Sequence, residues 1–122
     1  MGIRDVHSEL KVCDLSGTLA RMGGDRELLQ QIVQFFREDA PEYLSRLHSA
    51  VEEGNPAQVL HAAHSLHGLV ATFGAEAAAL AALRLEDIGR SGDLSSVKEA
   101  AGALEDEISR LQTVLARELD GL

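Results

Sequence analysis

Apolar residues recur at steps of three and four along most of this chain. Leu29, Ile32, Phe36, Ala40, Tyr43 and Leu47 form one such series. That period puts them on a single helical stripe ending near Glu53, with Asp25 as a cap ahead of it. Pro41 lies inside the stripe without shifting its phase, so the pattern predicts one long kinked helix rather than two. Gly54-Asn55 makes the next turn. From Asn55 to Gly74 a second stripe runs through Val59, Ala63, Leu66, Leu69, Val70 and Phe73. Asn55 is a good cap, Pro56 suits the first helical position, and Gln58 stands where a capping-box partner belongs. Gly74 closes the segment. Ala75 to Arg90 is dense in Ala and Leu, both strong helix formers. After the turn at Ser91-Gly92-Asp93, the residues Val97, Ala101, Leu104, Ile108, Leu111 and Leu115 repeat in near-heptad fashion.

Ahead of these, Asp14 to Met22 reads as a short helix ended by Gly23-Gly24, and residues 1–13 read as a flexible lead-in with little pattern. No period-2 strand pattern interrupts the series. The predicted fold is therefore all-α: an up-down-up-down four-helix bundle over residues 14–122, with a short extra helix at its N-terminus.

Composition narrows the function. The chain has 122 residues, enough for one self-supporting core, and aromatics make up only 3%, so Leu, Ala, Val and Ile must fill that core. A net charge of −9 argues against nucleic acid and against anionic membrane surfaces as partners. A single cysteine, Cys13, excludes an internal disulfide and a cysteine zinc cluster. Met1 to Lys11 has no apolar signal-peptide core, no apolar run is long enough to span a bilayer, and the expected compartment is the cytoplasm.

The polar face of the Asn55–Gly74 helix carries the candidate chemistry. His61, His64, Gly68 and Thr72 lie opposite the apolar stripe, and His64 and Gly68 are stacked neighbours. No Asp, Glu, Lys or Arg occurs from Gly54 through Ala75. Burial explains part of that absence. A surface that must hold an added phosphate also avoids nearby carboxylates, because like charges a few ångströms apart repel.

The segment Ala63-His64-Ser65-Leu66-His67-Gly68, followed by Phe73-Gly74-Ala75, resembles the histidine-containing phosphotransfer (HPt) domain family, whose pattern is Ala-His-x-Leu-Lys-Gly and then a further Gly. Phe35 to Leu44 is similar to that family's long second helix, and Leu85 to Gly92 to the end of its Glu-bearing helix. The resemblance covers roughly Asp14 to Leu94. It implies a four-helix bundle with one exposed histidine that takes a phosphoryl group from a receiver-domain aspartate or a kinase and passes it to another receiver. Carried over, His64 is the phosphoacceptor and Gly68 the small residue beside it. His61, Ser65, His67, Ala71 and Thr72 complete the expected phosphate environment and docking surface. One position departs from the pattern: His67 stands where the family usually has Lys, which is generally read as a cation near the phosphoryl oxygens.

The chemistry fits these residue types. A neutral imidazole is a competent nucleophile towards phosphorus, and its N–P bond stays reactive enough for onward transfer. In-line transfer needs that nucleophile to protrude from a rigid element into the partner's acidic, metal-bearing site. The expected partners are response-regulator receiver domains and a sensor or hybrid histidine kinase, met by a monomer. No cofactor is expected here; magnesium belongs to the receiver. The chain has no Walker-type loop and no kinase Gly-rich loop, so it is expected to carry phosphate rather than act as an enzyme on nucleotides. Two rival readings are a metal-binding bundle using His61, His64 and His67, and an HPt-like docking module that transfers nothing. Against the first, no histidine has Glu or Asp three residues before it, and His-Glu-x-x-His is absent. Glu86 reads as a bundle-stabilising or solvated charge.

Overall fold

Five helices, and no strand, make up residues 11–120, the range described by this computed structural model. They are α1 (Leu15–Arg21), α2 (Arg26–Glu53), α3 (Pro56–Ala71), α4 (Glu76–Ser91) and α5 (Val97–Asp120). The part of the expected lead-in at residues 1–10 lies outside the described residues. Val12 and Cys13, at its end, are half-buried and pack against the core.

α1, α2 and α3 each start where a side chain takes up an unpaired backbone donor. Asp14 Oδ1 accepts from Gly17 N at 3.1 Å, Asp25 Oδ1 from Leu28 N at 3.0 Å, and Asn55 Oδ1 from Gln58 N at 3.2 Å. The capping box expected at Gln58 has no donor left to receive it. The Asn55 N–H already donates to Ala50 O at 3.0 Å, and the Gly54 N–H to Val51 O at 3.1 Å. That pair of bonds is a Schellman closure of α2, and Gly54 takes the left-handed φ of 63° it requires. α2 itself runs unbroken through the exposed Pro41, as the unshifted stripe predicts.

α3 packs most extensively on α4 and next on α2; α5 lies against both α4 and α2, which closes a ring of four helices. The core is aliphatic and small-residue rich, and all six apolar positions of the α5 series are buried. On α2, Leu29, Phe36, Ala40 and Leu47 are buried, while Ile32 and Tyr43 are half-buried. On α3, Val59, Ala63, Leu66 and Val70 are buried, and so is Phe73 just beyond its end. Leu69, expected in the core, is only half-buried. Ala62 is buried instead, because α3 is gripped from two sides and its covered surface turns towards α4. Phe73 meets Phe36 edge-to-face with centroids 5.3 Å apart. Burying a side chain of this size is worth roughly 1.5–3 kcal/mol.

α1 is a clasp on the C-terminal end of α3. The Asp14 N–H donates to Phe73 O at 2.7 Å, and Thr18 Oγ1 lies 3.1 Å from Thr72 O and 2.9 Å from Asp14 O. Carbonyls left unpaired where α3 ends are thereby satisfied. The His-bearing helix is thus fixed at its start by Asn55, at its end by α1, and along its length by two neighbours. No helix among the described residues is long and apolar enough to cross a membrane.

Candidate functional site

The middle of α3 carries the polar face read from the sequence. His61, His64, Gly68, Ala71 and Thr72 are exposed, and Ser65 and His67 are half-buried. Thr72 Oγ1 donates back to Gly68 O at 3.2 Å, which turns its hydroxyl along the helix. Around Gly68 the surface is open: an added Cβ meets nothing within 4 Å.

What lies beneath this face was not expected. Glu86 of α4 is buried, with only 5% of its side chain exposed. Its Oε1 lies 2.8 Å from His64 Nδ1, in hydrogen-bond contact. An ionised carboxylate can only accept, so this contact places the ring proton of neutral His64 on Nδ1 and leaves the lone pair on Nε2. The His64 side chain is 76% exposed, so the ring is anchored at one nitrogen and open to solvent elsewhere. His67 is turned inward: its side chain is 29% exposed and its Nδ1 lies 3.0 Å from Glu86 Oε2. The direction of that approach falls short of a hydrogen bond, and Oε2 is a buried oxygen without one.

Glu86 narrows one sequence expectation and corrects another. Of the two alternatives, bundle charge or solvated charge, burial rules out the solvated one. The His64 surroundings are not free of carboxylates: the uncharged segment keeps them off α3, and α4 delivers one to the Nδ1 side of the ring. A signal for it was present. Ala78, Ala82, Glu86 and Gly89 follow one another at helical steps on the buried side of α4, so a carboxylate stands where the period calls for an apolar residue.

Close helix approach makes the contact possible. A Cβ built on Gly89 would stand 2.7 Å from Leu60 N and 2.9 Å from Leu60 Cα. Only a residue without a side chain allows α3 and α4 to meet so closely, one turn from Glu86. On the other side of His64, a shallow groove between the two helices is lined by Ala57, Leu60, His61, His64, Glu86 and Arg90. Arg90 Nη1 holds Asp87 Oδ1 at 2.8 Å, an exposed pair of little energetic weight. Sequence reasoning passed over Arg90 as well. His61 faces this groove while His67 faces Glu86. Among the described residues, no three side chains of His, Cys, Asp or Glu are grouped to hold a metal ion.

Comparison with known proteins follows the same segments. The Hpt domain profile matches residues 31–114. The chain is similar to the crystal structure of histidine-containing phosphotransfer protein B (HptB) from Pseudomonas aeruginosa PAO1, with a TM-score of 0.75 and 25% sequence identity, over 86% of this chain and 92% of that one. No curated protein matches it. The matched span reaches from α2 into α5 and contains His64, Gly68 and Glu86, and on that ground this chain belongs to the Hpt domain family.

Proposed function

We propose that this protein is a phosphocarrier of a two-component phosphorelay, with His64 as the residue that bears the phosphoryl group. One observation carries the reading: His64 protrudes from a rigid helix with Nδ1 held by the buried Glu86 and Nε2 free. The family supports it, as does the similarity to the HptB structure, a histidine-containing phosphotransfer protein. The four long helices are read as an up-down-up-down bundle, supported by their short connecting turns and their ring of contacts.

In the reaction, the Nε2 lone pair attacks the phosphorus of a receiver's phosphoaspartate in line. The N–P bond forms as the acyl O–P bond breaks, and the aspartate leaves as carboxylate. Positive charge grows on the imidazole during attack, and the Glu86 carboxylate on Nδ1–H stabilises it. The same contact holds the ring still, which lowers the cost of reaching an in-line geometry. Reversal of these steps passes the group to a second receiver. Magnesium and the reacting aspartate belong to the receiver; this chain contributes the nucleophile, its orientation and an open surface. Gly68, one turn along from His64, leaves room for the receiver to come close.

The test is transfer from receiver domains charged with acetyl phosphate and magnesium. The expected product is labelled protein whose label is lost in acid and kept in base. Absence of label with every receiver tried, alongside detectable complex formation, favours a docking module instead.

A further inference from the structure

We propose that His67 is a positioning residue that aims Glu86 at His64, and does not serve as a cation for the phosphoryl group. The inference rests on reading His64 as the phosphoacceptor. The two carboxylate oxygens are divided between two imidazoles: Oε1 to His64 Nδ1 at 2.8 Å and Oε2 to His67 Nδ1 at 3.0 Å. Oε2 is otherwise an orphan, buried and without a hydrogen bond. A Glu carboxylate rotates freely about its last torsion, whose preferences are broad. A ring nitrogen held against one oxygen therefore limits the direction of the other. The remaining charged groups nearby are engaged elsewhere: Arg90 and Asp87 of α4 hold each other, and His61 faces the groove beyond His64. An imidazole only 29% exposed, with its Nδ1 3.0 Å from a buried carboxylate oxygen, offers the phosphoryl oxygens no ammonium.

The stereochemistry of donors supplies the test. The amide nitrogen of Asn stands as many bonds from Cα as His Nδ1, while that of Gln stands one bond further, where His Nε2 would be. His67→Asn keeps a donor facing Oε2; His67→Gln and His67→Ala do not place one there. The measurement is ¹⁵N NMR of the His64 ring in the full chain at alkaline pH, which reads the tautomer directly and needs no partner. Wild type and His67→Asn are expected to show the Nδ1–H tautomer, and His67→Gln and His67→Ala a mixture. Transfer from a charged receiver is expected to fall about tenfold in the latter two and to recover in His67→Asn. Should His67→Ala fail to fold, the Asn and Gln variants still decide. An unchanged His64 tautomer in the Gln variant, or equal rescue by Asn and Gln, overturns the proposal. Absence of any labelling in the wild type sinks the phosphocarrier reading alone, because the tautomer comparison does not depend on it.

Discussion

Glu86 Oε1 and His64 Nδ1 meet at 2.8 Å across the α3–α4 contact, one group buried and the other largely in solvent. A carboxylate in this position is expensive for the fold, since desolvation of a charge is offset only by good partners and Oε2 has an imperfect one. Its presence is best understood through what it does to the ring above it.

That cost makes the first prediction a trade between stability and activity. Glu86→Leu should raise stability by about 1 kcal/mol, because an apolar residue of similar volume suits the buried site better. The same variant should slow transfer by at least about tenfold, as loss of a histidine-orienting partner does elsewhere. Urea denaturation and transfer rates on one preparation check both. A stable variant with wild-type transfer would show that Glu86 is merely structural.

Gly89→Ala tests the helix approach itself. Its Cβ would stand 2.7 Å from the Leu60 backbone nitrogen, and backbone cannot swing aside. Overpacking should cost roughly 1–3 kcal/mol. The His64–Glu86 contact lies one turn away and should lengthen, shifting the His64 ring resonances. A loss under about 0.5 kcal/mol with unmoved His64 resonances would mean that the helices have slack here.

Gly68→Ala should act in the opposite sense. Nothing lies within 4 Å of the new methyl group, so tight packing is not what this glycine provides. The variant should gain about 0.5–1 kcal/mol of stability from helix propensity. On the docking account it should also slow transfer, and a longer side chain such as Gln should slow it further. Faster melting, or equal transfer for Ala and Gln, would remove Gly68 from the docking surface.

Phe73→Ala should destabilise by roughly 3–5 kcal/mol, since its ring is buried against Phe36 and the hole is too confined to close. Thermal unfolding is the measurement, and a loss below about 1 kcal/mol would place this ring outside the core.

The helices were legible because each buries one stripe, and the 3.6-residue period names that stripe directly. The α5 series shows this best, with every position from Val97 to Leu115 buried as expected. Leu69 and Ala62 show the limit. A helix held by two neighbours covers more than one stripe, and the period alone does not say on which side the second neighbour sits. His64 was legible from local sequence because its neighbours, Ala63 to Gly68, lie within two turns of it. Glu86 was not, because it comes from 22 residues further along and reaches His64 only through packing of α4 on α3. The inward turn of His67 has the same origin: its place on α3 follows from spacing, and its direction follows from a carboxylate on another helix.

The most direct test of the account is labelling of four proteins by one charged receiver: wild type, His64→Gln, His61→Gln and His67→Gln. The account predicts label on wild type and on the His61 variant, slower labelling of the His67 variant, and none on His64→Gln, which should remain folded because its side chain faces water. Label retained in His64→Gln and lost from either of the other two would contradict it.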